Sequence, residues 1–154
     1  RASLAAKPRI FLKVAPDLAD ADKADIAASA LSHGVDALIV ANTTLARPAG
    51  LVGRARDETG GLSGAPLFEA STALLRDFRA ATAGRIPLIG VGGVFSARDV
   101  YRKILAGASL VQLYTALIYS GPGLVASILR ELPDYLDADG FDSIGRAVGA
   151  EASA

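Results

Sequence analysis

The 154-residue chain contains no cysteine. Disulfide frameworks, thiolate metal sites and cysteine nucleophiles are thereby excluded, and any chemistry must come from other groups. There is a single histidine, His33, placed beside Gly34 where a helix should end, which leaves neither a histidine-based triad nor a His-rich metal site. No apolar stretch reaches the roughly 18 to 20 residues that cross a bilayer, and the start lacks the basic-then-apolar pattern of a secretory signal, so a soluble chain is expected. An excess of one charge is missing too. Lys plus Arg and Asp plus Glu number 16 each, which gives no electrostatic footprint for nucleic acid. Methionine is absent and the chain opens Arg1-Ala-Ser-Leu4, as expected of a segment from within a longer protein or of a trimmed one.

What remains is 51% hydrophobic and 21% charged, the make-up of one domain with material for a substantial core. Four short apolar runs, at 10–14, 37–40, 87–91 and 110–114, are rich in leucine and β-branched residues and read as strands. Between and after them, apolar residues at three- and four-residue spacing predict helices over 19–32, 66–82, 96–105 and 121–132. Pro133 is expected to close the fourth helix, 137–140 to form a loop, and a short helix to lie within 141–150. This alternation means parallel strands with crossover helices. Four βα units fit either an open flavodoxin-like sheet or one half of an eight-stranded barrel, whose typical length of roughly 250 residues is beyond this chain.

In parallel α/β folds ligands bind at the carboxyl ends of strands, and every unusual polar group here falls at such an end. The first strand leads through Lys13 to Ala15-Pro-Asp17, the second to Asn42-Thr-Thr44, the third to Gly92-Gly93 and the fourth to Gln112, Tyr114 and Thr115. Lys13 is either a strand-end lysine reaching water or a fixed positive charge aimed at an anionic ligand or at charge developing in a cofactor. Asn42, Thr43 and Thr44 offer amide and hydroxyl groups suited to a small polar heterocycle or a carboxylate, or they satisfy their own backbone in a turn. Gly92 and Gly93 leave backbone N–H groups open to an anion such as phosphate ahead of a helix start at Ser96-Ala-Arg-Asp99, or they are turn glycines. The spacing is not the dinucleotide fingerprint.

The segment 45–65 is too long for a simple connection and reads as a lid or binding loop carrying the flexible Gly60-Gly-Leu-Ser-Gly64. Asp17, Asp20, Asp22 and Asp25 lack the calcium-loop pattern and are read as acids complementing a helix N-terminus.

Five stretches together resemble the dihydroorotate dehydrogenases: Lys13-Val-Ala-Pro-Asp-Leu18, Asn42-Thr-Thr44, Gly60-Gly-Leu-Ser-Gly-Ala-Pro-Leu67, Ile89-Gly-Val-Gly-Gly93 and Gly107-Ala-Ser-Leu-Val-Gln-Leu-Tyr-Thr115. The likeness is to the carboxyl-terminal half of the membrane-associated, quinone-reducing class, and it runs from about Pro8 to the Ile144-Gly145 region. It implies a (β/α)8 TIM barrel of which this chain, as a single partial domain over 1–154, supplies about the last four βα units. It further implies FMN as cofactor, oxidation of dihydroorotate to orotate in pyrimidine (UMP) biosynthesis, and a quinone as electron acceptor.

By position, the resemblance has Lys13 contact the flavin ring and stabilise its reduced anion, and Ala41 touch FMN. It has Asn42 and Thr43 hold orotate, and Gly64, Gly93, Tyr114 and Thr115 bind FMN, the last three around its phosphate. Ala41 stands where relatives often carry Ser or Thr, so its backbone alone could bond. The family's serine base belongs to the preceding half of the barrel; no serine here matches it, and Ser63 belongs to the glycine loop. On this reading the catalytic set is incomplete within the chain, which cannot turn over alone. Its partners include the amino-terminal half of the barrel, and peripheral association with a membrane, the cytoplasmic side of the inner membrane in a bacterium, runs through that other region. Two rival expectations are a non-catalytic half-barrel that acts as an assembly unit, and a flavodoxin-like FMN module. The latter would place its phosphate loop after the first strand, where Ala15-Pro-Asp17 is acidic and lacks glycine.

Overall fold

The computed structural model describes residues 7–153, so the Arg1–Leu4 opening lies outside it. Four strands, β1 (Phe11–Val14), β2 (Ala37–Val40), β3 (Leu88–Val91) and β4 (Ala108–Gln112), form one parallel sheet in the order β1-β2-β3-β4. Six helices accompany them: α1 (Asp20–Ser32), α2 (Phe68–Ala81), α3 (Ala97–Leu105), α4 (Thr115–Ser120), α5 (Gly123–Ala138) and α6 (Ile144–Ala147).

The sheet is built by side-chain alternation. In register, Leu12, Val14, Leu38, Val40, Leu88 and Gly90 share one face. Val14, Leu38, Val40, Leu88 and Ala108 pack there against Ala27 and Ala30 of α1 and Leu74, Leu75 and Phe78 of α2. The other face carries Phe11, Lys13, Ile39, Ile89, Leu110 and Gln112, and Phe11 and Leu110 are exposed on it. A second core joins Val100, Tyr101 and Ile104 of α3 to Ile128, Leu132 and Leu136 of α5 and Ala147 of α6.

Sequential strand order is that of a barrel wall. A flavodoxin-like sheet places its first strand inside the sheet, between the second and third, whereas here β1 is an outer strand paired only to β2. The flavodoxin-like alternative is therefore overturned, and the four units form part of a (β/α) barrel.

Three sequence expectations need correction. Pro133 does not end its helix, because α5 runs through it to Ala138. A proline inside a helix costs about 3 kcal/mol, which burial of Leu132 and Leu136 on α3, at about 1.5–3 kcal/mol each, offsets. Residues 137 and 138 of the loop expected at 137–140 are consequently the end of that helix, and 139–140 form the turn after it. The fourth strand begins at Ala108 rather than 110, because two small residues open it; Ala108 is fully buried, its Cβ 3.2 Å from where a Cβ on Gly90 would lie. The helix α4 went unread, since six residues between a strand and Gly121 are too few to show a period.

Candidate functional site

The carboxyl end of β1 sets the floor of the site. Beyond it, the Asn42 N–H donates to the Val14 carbonyl at 2.8 Å and the Ala41 N–H to the Val91 carbonyl at 3.3 Å, so the chain leaving β2 is stapled between β1 and β3. Ala41 is buried there, while Asn42 and Thr43 are exposed. Lys13 lies in register with Ile39, on the sheet face that the packed helices leave open.

Asp17 has a different task from the one its position suggests. Its carboxylate accepts the Thr44 hydroxyl and, at 2.8 Å, the Leu45 N–H. Those two bonds hold its carboxyl below the ordinary aspartate range. Asp20 and Asp22 both lie in the first turn of α1, as expected; Asp22 accepts the Ala19 N–H at 3.1 Å, and Asp20 also pairs with Lys23 at 2.9 Å.

Thr44 also closes the long loop. It exchanges backbone hydrogen bonds of 3.1 and 2.8 Å with Leu62, an antiparallel bridge across the neck of 45–61. Inside, the Arg47 guanidinium donates to the carbonyls of Leu45, Ala46, Arg56, Glu58 and Gly60 at 2.7–3.3 Å. After the neck, Gly64 at φ +81° starts a short 3₁₀ turn, Ala65–Leu67, that runs into α2. Beside it, the Thr115 hydroxyl donates to Ser63 Oγ at 3.0 Å.

Gly92 and Gly93 both have positive φ, +109° and +73°. A Cβ on Gly93 would lie 2.4 Å from the Phe68 Cβ and 2.6 Å from the Phe68 nitrogen, so glycine is required by the close approach of α2 as well as by the backbone angle. Ser96 then caps α3 by accepting the Asp99 N–H at 3.2 Å, the first half of the arrangement expected from Ser96-Ala-Arg-Asp99, while Asp99 accepts the N–H of Phe95, one residue before the cap, at 2.9 Å. The Gly93 N–H has no hydrogen-bond acceptor among the described residues.

One cleft of about 220 Å³ gathers these strand ends. The eight residues to which the resemblance gives roles, Lys13, Ala41, Asn42, Thr43, Gly64, Gly93, Tyr114 and Thr115, line it, with Tyr114 largely exposed at its mouth, whereas the strand-end candidates Thr44 and Gln112 do not.

Sequence reasoning missed the layer beneath. Lys103 is fully buried on α3, with Nζ 2.6 Å from Ser71 Oγ and 4.9 Å from the centre of the Phe68 ring. Burial pushes its amine down to about 7, against the pull of Glu69, which is itself engaged by Arg102 at 2.8 Å. A signal existed: Lys103 falls on the apolar stripe that runs from Val100 to Ile104, where a cation is out of place.

A parallel barrel wall with its polar groups converging at the carboxyl ends of the strands defines a member of the (β/α)-barrel proteins. The model of the family described as dihydroorotate dehydrogenase matches residues 2–136. The chain belongs to the dihydroorotate dehydrogenase family. It is 57% identical over 145 residues to the dihydroorotate dehydrogenase (quinone) of Parvibaculum lavamentivorans, covering 94% of this chain and 42% of that protein. To the mitochondrial dihydroorotate dehydrogenase (quinone) of Mus musculus it is 53% identical, covering 94% of this chain and 37% of that one. A crystal structure of the Eimeria tenella enzyme in complex with ferulenol superposes with a TM-score of 0.90 at 43% identity, over 93% of this chain and 38% of that one. The chain thus spans about two fifths of the length of the curated relatives it matches. Among the described residues, no helix is long and apolar enough to cross a membrane.

Proposed function

We propose that the chain supplies the FMN- and orotate-contacting half of a quinone-reducing dihydroorotate dehydrogenase, which oxidises dihydroorotate to orotate in pyrimidine biosynthesis. The observation that carries this reading is the convergence of the family's motifs, from all four strand ends and the glycine loop, on one cleft. The residues fit the flavin nucleotide. An unpartnered Gly93 N–H beside the Tyr114 and Thr115 backbone forms a neutral lining suited to a phosphate, and the Gly64 turn leaves the cleft open beside them.

When bound, FMN supplies hydride acceptance from dihydroorotate and onward electron transfer to a quinone. The chain's own groups then have separable tasks. Lys13 brings a positive charge to the open sheet face, where it stabilises negative charge on the reduced ring. Asn42 and Thr43 turn an amide and a hydroxyl toward a substrate rich in carbonyl and N–H groups, and Ala41 contributes backbone alone. Proton removal from dihydroorotate falls to a base in the amino-terminal half of the barrel, so the segment alone does not turn over. Membrane association and access to the quinone belong to that same outside region.

The test is the intact mass and visible absorption of the purified native protein, followed by a turnover assay on the 154-residue chain alone. The expected result is bound FMN in a protein of about twice this length or more, and no dihydroorotate-dependent quinone reduction by the chain alone. Turnover by the isolated chain would sink the division of labour between the halves. A native protein of this length without flavin would favour the second reading, a non-catalytic half-barrel assembly unit, for which the exposed Phe11 and Leu110 on the open face speak.

A further inference from the structure

Behind the Gly92-Gly93 turn lies a polar chain that the site itself does not use. Lys103 Nζ meets Ser71 Oγ at 2.6 Å, and Ser71 Oγ lies 3.2 Å from the Gly92 carbonyl and 3.1 Å from that of Phe68. Both side chains are fully buried, and among the described residues no carboxylate forms an ion pair with Lys103. A buried lysine without an ion partner is costly, so its retention calls for a task.

The hydrogen-bond chemistry supplies one. Lys103 Nζ donates to Ser71 Oγ, which leaves the serine hydrogen to the Phe68 and Gly92 carbonyls that it faces. A trans peptide sets its N–H opposite its C=O. Tethering the Gly92 carbonyl to Ser71 on the α2 side therefore turns the Gly93 N–H the other way, toward the cleft that Gly92 and Gly93 line. The same N–H has no acceptor among the described residues.

We propose that Lys103 and Ser71 are positioning residues that hold the Gly92–Gly93 peptide with its N–H presented to the phosphate of the bound flavin nucleotide. This rests on the reading of the cleft as an FMN site. Neither side chain touches the ligand; both act through one peptide plane. Without the tether, the peptide is free to rotate and a donor is lost exactly where the ligand carries its phosphate, while contacts to the ring are untouched.

The discriminating probe is a pair of flavins, FMN and riboflavin, which share the ring and differ in the phosphate. Their dissociation constants are measured by fluorescence titration of the deflavinated full-length protein that contains this chain, as wild type, Ser71→Ala, Lys103→Met and the double variant. The preference for FMN over riboflavin is expected to fall at least tenfold in each single variant, with riboflavin affinity changed less than twofold. The double variant should be no worse than the poorer single one, because both substitutions cut one chain. Equal weakening of both flavins would show a merely structural role and overturn the inference, as would an unchanged preference. Ser71→Ala, the smaller change, carries the test where Lys103→Met does not fold. A wild type that binds neither flavin overturns the FMN reading and this inference with it; a wild type that prefers FMN, with variants that keep that preference, overturns the inference alone.

Discussion

Lys103 makes a stability prediction of its own, separate from ligand binding. Its folded-state amine titrates near 7 because burial outweighs the attraction of Glu69 and Asp99, with Arg102 and Arg76 pushing the same way as burial, whereas an unfolded lysine titrates near 10.5. Between those values the unfolded chain binds the extra proton, so stability rises with pH from about 7 to 10.5 and then levels. Lys103→Met removes the buried charge and should flatten that rise, gaining most over wild type below pH 7. Urea titrations across that range check it; a slope that survives in the variant would assign it to another group. Above this window the trend reverses, since Tyr101, buried and bonded to Asp139 at 2.6 Å, is pushed up to about 12 and loses stability as it ionises.

At the scale of elements, the long loop between β2 and α2 behaves as a unit stitched from within. Arg47 gathers five carbonyls, and Thr44, Asp17 and Leu62 close the neck. Arg47→Ala should open residues 48–60 to proteolysis at least tenfold faster, while thermal unfolding of the sheet shifts by no more than a few degrees, since the loop adds nothing to either core. Limited proteolysis beside calorimetry separates the two effects. Whether such a loop is ordered was not legible in the sequence: its length marked it, but Arg47 reads there as one surface charge among many. The strands were legible because apolar runs at 37–40 and 87–91 must be covered. Ala108 and Ser109 escaped because small residues enter β4 for lack of room above Gly90, a tertiary reason. The eight cleft residues were found through their motifs, whereas Ser71 and Lys103 carry no motif and are joined only by folding α2 beside α3.

For the whole molecule, the open sheet face decides the behaviour of the chain alone. β1 and β4 are outer strands of the described sheet, and Phe11 and Leu110 stand 52% and 63% exposed on the face opposite the helices. Leu129 on α5, beside a groove formed with β4 and α6, is equally bare. Unpaired edges next to apolar surface favour association. The isolated 154-residue chain is therefore expected to self-associate, with light scattering giving a mass above that of one chain, and to return to a defined complex when the amino-terminal half of the barrel is added. A stable monomer at micromolar concentration would mean that the half-barrel covers these surfaces by itself.

The guanidinium of Arg47 has one more consequence. Its partners are peptide carbonyls, which do not titrate, and arginine itself stays protonated across the pH range in which proteins survive. The fastening inside the loop is consequently indifferent to acidity, unlike the surface pair of Arg102 with Glu69, which weakens once that carboxylate is protonated. Acidification would release the Asp17 grip at the neck before it loosened the interior, so the loop would swing as a preformed piece instead of melting.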